Sequence, residues 1–150
     1  MNLIELLRAV ELFSGLDDDQ LQRLAAISKE VTCKSGDVIF SQGDEGDSLY
    51  IVREGQVEIS VRHGEGILQR HSRIFLGDGQ LFGEMALIDS GKRSATVHAA
   101  QDGTILDFIR GDDFFALCNS DKALGYVVMR NMAIHLSFKL RHRHLDPNTF

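Results

Sequence analysis

Hydrophobic positions change their period twice along this chain. Leu3, Ile4, Leu7 and Val10 recur at helical spacing, and so do Leu21, Leu24, Ala25 and Ile27 after the polar break SGLDDD. Steps of three and four put each set on one helix face, with Asp17 or Asp18 available to cap the second helix. From Glu30 to Arg110 the texture becomes short runs rich in Val, Ile, Phe and Tyr: EVTC, DVIF, SLYIV, QVEISV, ILQRHSRIFL, ATVHA and TILDFI. Turn signals separate them at KSGD, QGDEGD, REG, HGEG, GDG and QDG. A turn every roughly eight to twelve residues predicts an all-β sandwich or barrel rather than βαβ units.

After Arg110 the helical period returns. Asp112 or Asp113 can cap a short helix through Phe114, Phe115 and Leu117, and a longer helix is predicted from about Asp121 to Arg143. Leu124, Val128, Met132, Leu136 and Leu140 line one side of it, flanked by Met129, Ala133 and Phe138. This stripe reads as core, and the alternative is a homodimer seam with a second copy. The predicted fold class is α+β. A β-roll of the jelly-roll type over 30–110 lies between N-terminal helices in 1–29 and C-terminal helices in 111–150, all in a single domain over 1–150.

Composition narrows the classes. A chain of 150 residues with 43% hydrophobic and 25% charged residues fits one ordinary globular domain. A net charge of -6 speaks against a nucleic-acid surface, which shows a basic stripe. No apolar run is long enough to span a bilayer, so no membrane partner is expected. MNLIELLRAVELF carries Glu5 and Glu11 in its apolar stretch and makes a poor signal peptide. Cys33 and Cys118 do not make a disulfide framework, and a cytoplasmic location follows as the default. The histidines of RHRH are two apart, off a common helix face, and no metal triad or nucleophile–base pair is visible. The expectation is a protein that is not an enzyme, with no cofactor and no metal.

The segment LFGEMALIDSGKRSATV, Leu81 to Val97, concentrates the remaining chemistry. FGEMALI fits a short helix beginning at Gly83, whose missing side chain lets a ligand approach backbone N–H groups. Arg93 can clamp a phosphate bidentately, and Ser94 and nearby amides add donors. Glu84 would repel a phosphate but can accept from a sugar hydroxyl. Together these describe a nucleotide whose phosphate is tied close to its ribose. The rival reading is a capped turn with a surface salt bridge between Glu84 and Arg93, worth about 0–1 kcal/mol.

Two longer stretches carry a resemblance. KSGDVIFSQGDEGDSLYIVREGQ over 34–56 and LGDGQLFGEMALIDSGKRSATV over 76–97 resemble the cyclic-nucleotide-binding domain family, along nearly the whole chain. The motif consists of Gly36, Gly43, Gly46, Gly55, Gly79 and Gly83, with Phe82-Gly83-Glu84 and Arg93-Ser94-Ala95-Thr96-Val97. The family implies a β-roll holding a phosphate-binding cassette, with the last helix as a lid over the base. Carried over by position, Arg93 would pair with the cyclic phosphate, helped by Ser94 and the Ala95 amide. Glu84 would accept from the ribose 2′-OH, Gly83 and Met85 would line the ribose, and Phe82 and Ala86 would complete the cassette. The hydroxyl residues by which the transcription-factor branch reads adenine align near Lys139 and Leu140, so that readout is not reproduced and Phe138, Arg141 or His142 would cap the base instead. Lys92 stands where many relatives have proline, which predicts a looser loop before Arg93. Gln80 replaces a frequent acidic residue as a turn substitution. The chain ends where a helix-turn-helix would begin.

The resemblance therefore implies a stand-alone receptor for a cyclic nucleotide, cyclic AMP first and cyclic GMP second, which signals to an unknown protein effector through movement of the last helix. The alternative it leaves is a degenerate, ligand-free protein-interaction domain on the same fold.

Overall fold

The computed structural model describes residues 2–64, 67, 70–89 and 91–142. These form two compact units, one made from the two ends of the chain and one spanning Ser28–Gly111.

The first unit is helical. Helix α1 (Leu3–Ala9) opens with a capping box, in which the Glu5 N–H donates to Asn2 Oδ1 at 2.9 Å and the Asn2 N–H to Glu5 at 3.4 Å. A 3-10 turn, Glu11–Phe13, follows, and then α2 (Asp18–Ile27). Of the two predicted caps it is Asp17 that serves, exchanging 2.9 and 3.0 Å bonds with Gln20. Helix α4 (Gly111–Ser120) starts one residue before the predicted caps, so Asp112 and Asp113 lie inside its first turn, where acidic side chains suit the helix dipole. Asp121 then caps α5 (Lys122–His142) through a 3.1 Å bond from the Leu124 N–H, and pairs with Arg23. Asn131 ties α5 to the 3-10 turn by donating to the Leu12 and Ser14 carbonyls at 2.9 and 2.8 Å. The predicted terminus at Arg143 lies outside the described residues.

The apolar stripe of α5 holds only in part. Leu124, Val128 and Met132 are buried, Leu136 is half-buried, and Leu140 is 67% exposed. The reason is the helical repeat. At about 100° per residue a step of four overshoots one turn by about 40°, so Leu140 has rotated about 160° from Leu124.

The second unit is the predicted β-roll, two antiparallel four-stranded sheets ordered β1-β8-β3-β6 and β2-β7-β4-β5. The strands are β1 (Ser28–Cys33), β2 (Val38–Phe40), β3 (Ser48–Glu54), β4 (Val57–His63), β5 (Arg70–Leu76), β6 (Leu81–Phe82), β7 (Thr96–Ala99) and β8 (Thr104–Arg110), with helix α3 (Ala86–Asp89) between β6 and β7. Alternation decides the faces: Val57, Ile59 and Val61 of β4 are buried while Glu58, Ser60 and Arg62 point the other way. Four rings join the sheets from inside, with Tyr50 stacked on Phe82 at 5.1 Å and both within 5.9 Å of Phe40. Phe108 packs on Tyr50 at 5.7 Å. The two-residue strand β6 went unpredicted because it is too short to show alternation.

Candidate functional site

The segment from β6 to β7 is held at both ends by strands and in its middle by a second loop. Gly83 has φ of +78°, which no helix accepts, so the predicted helix start is displaced and α3 begins only at Ala86. Before Arg93 the chain is not loose. Lys92 forms an antiparallel bridge with Glu45. Around it the Arg93 N–H donates to the Asp44 carbonyl at 2.6 Å, and the Gly43 N–H returns to the Arg93 carbonyl at 2.8 Å. These backbone bonds supply the rigidity that a proline would otherwise give. Gln80 is the turn residue expected, accepting from the Gly77 N–H at 2.8 Å.

Arg93 and Glu84 are 8% and 7% exposed, which overturns the surface salt bridge. The Arg93 guanidinium lies 4.0 Å over the Phe40 ring, a cation–π contact in a desolvated place. Nη2 donates to the Ser48 carbonyl at 3.0 Å and Nη1 to the Gly83 carbonyl at 3.4 Å. Nε is buried with no hydrogen-bond partner. Burial pushes this guanidinium below its usual pKa, against the opposing pull of Tyr50, Asp47, Asp44 and Glu84.

Two glycines make the socket. A Cβ at Gly46 would overlap Arg93 Nε, and one at Gly83 would stand 2.7 Å from Nη1 and 3.0 Å from the Ser48 carbonyl. Gly83 was expected to admit a ligand; its first effect is to admit the arginine. Gly46 lacks a positive φ, so its role is space rather than turn geometry. Sequence reasoning missed Gly46, Phe40 and the Ser48 carbonyl as parts of the socket. Gly46 was named only as a motif glycine in the turn QGDEGD, and its contact partner lies 47 positions downstream.

The other predicted residues fall into three groups. Ser94 is exposed beside the socket and Met85 is 46% exposed, while Ala86 and Ala95 are buried packing positions. Phe82 is buried in the aromatic stack, so its ring supports the cassette from beneath. Phe138 and His142 lie in the helical unit, with ring centroids 4.2 Å apart, and Arg141 is exposed. Cys33 is buried and Cys118 half-buried, both as free thiols whose pKa is pushed up by burial. Among the described residues no cluster of three His, Cys, Asp or Glu side chains could hold a metal. Among them, too, no helix is long and apolar enough to cross a membrane.

A β-roll whose interior arginine sits in a glycine-cleared socket defines a class, and comparison with known proteins agrees. The family model "Cyclic nucleotide-binding domain" matches residues 30–121, and the chain belongs to that family. It is 35% identical over 135 residues to the cyclic AMP receptor protein of Thermus thermophilus, covering 90% of this chain and 59% of that protein. The N-terminal domain of a Streptomyces coelicolor transcriptional regulator superposes with a TM-score of 0.79 at 32% identity, covering 91% of this chain and 93% of that one. The regulatory domain of Toxoplasma gondii PKA, crystallised with cAMP, gives 0.66 at 30% identity over 77% of this chain and 42% of that one. The chain is thus a cyclic-nucleotide-binding regulatory domain by family, and it spans less than two thirds of the Thermus protein's length.

Proposed function

We propose that this chain is one cyclic-nucleotide-binding domain over 1–150, acting in the cytoplasm as a non-enzymatic receptor that takes cyclic AMP in preference to cyclic GMP. The observation that carries the reading is the Arg93 socket. A guanidinium taken out of water, with two carbonyls below it and Nε unpartnered, lacks an anion. A cyclic phosphate supplies that anion, with the Ser94 hydroxyl and the Ala95 amide as further donors. Glu84 accepts from the ribose 2′-OH, and the Gly83 and Met85 backbones line the ribose. The preference for cyclic AMP is supported by the Thermus relative, named for that nucleotide, and by the Toxoplasma domain crystallised with it.

The base-cap role of Phe138, Arg141 and His142 belongs to the same reading and rests on the family resemblance. So does signalling by α5, which shifts between two packings that a protein effector or a second subunit reads. The ligand moves that equilibrium only by binding one packing better than the other.

Titration calorimetry with cyclic AMP, cyclic GMP and non-cyclic 5′-AMP tests the reading. Saturable binding of the cyclic nucleotides, with cyclic AMP tighter and 5′-AMP much weaker, is the expected result. Heat from none of the three would leave the socket a fold feature without a ligand.

A further inference from the structure

The outward face of the β2-β7-β4-β5 sheet carries a second constellation, on the opposite side of the strands from Val57, Ile59 and Val61. Register arranges it in rows. Glu58 pairs across β4 and β7 with His98, Ser60 lies between Thr96 and Arg73, and Arg62 pairs with His71. With Gln42 from the loop after β2, these side chains line an open depression of about 200 Å³. Gln42 acts there as a backbone substitute, accepting from the Arg62 N–H at 3.0 Å and donating to its carbonyl at 3.3 Å. That double bond holds the end of β4 as a rigid wall.

The charges do not balance. Glu58 is the one carboxylate among the lining residues, and it is already held by His98 Nε2 at 2.7 Å and Arg73 Nε at 3.4 Å. Arg62 and His71 remain side by side and exposed, and Arg73 keeps the outer half of its guanidinium fork. Thr96 Oγ1 accepts from the Gln42 N–H at 2.8 Å, which leaves its own O–H to donate into the basin. The Ser60 hydroxyl sits between Thr96 and Arg73. On a chain of net charge -6 this is a local excess of cations and donors around a volume of small-ion scale.

We propose that this basin is a second anion site, distinct from the Arg93 socket, for a small doubly charged oxyanion of the phosphate class. Arg62 and the outer fork of Arg73 supply the charge, and His71, Ser60 and Thr96 supply further hydrogen bonds. The two sites adjoin in sequence: Gln42 precedes the Gly43 that bonds to Arg93, and Thr96 follows Arg93 on the same segment. Mutation must therefore separate them.

The test is a titration of the full chain with inorganic phosphate, and in parallel with glycerol 3-phosphate, at fixed ionic strength. It is followed by amide shifts in ¹⁵N spectra. Saturable shifts are expected at Ser60, Arg62, His71 and Thr96. Arg62→Gln weakens half-saturation about tenfold, as loss of one charge-assisted contact implies, while Arg93→Ala leaves it in place. Equal half-saturation for both probes identifies phosphate itself as sufficient, and a tighter ester identifies an esterified phosphate; either supports the site. Shifts that do not saturate, that ignore Arg62→Gln, or that vanish with Arg93→Ala overturn it. Arg62 is exposed, so its variant folds, and Arg73→Gln provides an independent check.

Discussion

Two arginines of the β unit reach into the fold, Arg53 half-buried and Arg93 buried, and they are treated in opposite ways. Arg53 sits at a register shift between Val52 and Glu54 of β3, the kind of irregularity that re-aims a side chain. There it meets Asp107, 1% exposed, through two bonds of 2.7 and 2.6 Å, with Glu30 at 3.3 Å. Hydrogen bonding to Asp107 holds the Arg53 guanidinium above its usual pKa. Arg93 has carbonyls, a ring face and an unpartnered Nε, and burial pulls it the other way. A charge satisfied by its own chain belongs to the fold. A charge that the fold buries and leaves incomplete is the one for which a ligand is proposed.

The sharpest break of this comparison is Arg93→Ala. It is expected to cost about 3–5 kcal/mol of cyclic-nucleotide binding, a hundredfold to a few thousandfold in Kd by calorimetry. Its loss of folding stability should be smaller than that of the Arg53 pair. Asp107→Ala should do the converse, lowering the unfolding free energy by about 3 kcal/mol in urea while leaving nucleotide affinity within a few-fold. If the two variants exchanged these effects, the division of labour between the arginines would be wrong.

Gly46→Ala probes the socket walls. Its methyl collides with the middle of the guanidinium, so we expect about 1–3 kcal/mol of overpacking, shared between stability and ligand affinity. The same substitution at Gly43, where an added Cβ meets nothing, strains only a positive φ and should spare the arginine. Equal loss of affinity in both variants would show that the loop, not the socket, matters.

The smallest effect is a pH dependence in the helical unit. The Leu124 N–H bond holds the Asp121 carboxylate below its ordinary pKa, with Arg23 adding to it. A depressed folded pKa stabilises the protein above the unfolded value, and that stability drains away as pH falls through the folded one. Asp121→Asn keeps a capping side chain without the charge, so its melting temperature should approach that of wild type as pH drops through the acid range. A constant gap at every pH would mean that the carboxylate charge contributes nothing.

How much of this was legible depended on distance along the chain. Asp17 as a helix cap acts on a residue three positions away and follows from local pattern, while Asp121, read as the start of the long helix, proves to be its cap. The α5 stripe was half legible: its first residues pack, but repeated steps of four drift around the helix, and only packing shows where the buried face ends. Arg93 and Glu84 stood out as a pair, yet their burial did not, because charged residues are mostly exposed and nothing local marks an exception. The basin on the outer sheet was invisible, since Glu58, His98 and Arg73 meet only through strand register.

Sequence by itself determined the order of helices, β-roll and helices, the glycine-punctuated turns, and the family to which the cassette motif belongs. The element order and the turns arise from periodicity and backbone preference, which act over a few residues, while the family rests on the resemblance of the motif. Tertiary structure alone decided that Gly46 makes room for an arginine 47 positions away. It also decided that Phe40 and the Ser48 carbonyl receive that arginine's charge, and that Nε is left without a partner. The reason is physical: desolvation and steric exclusion depend on what surrounds an atom in space, and chain order does not record it.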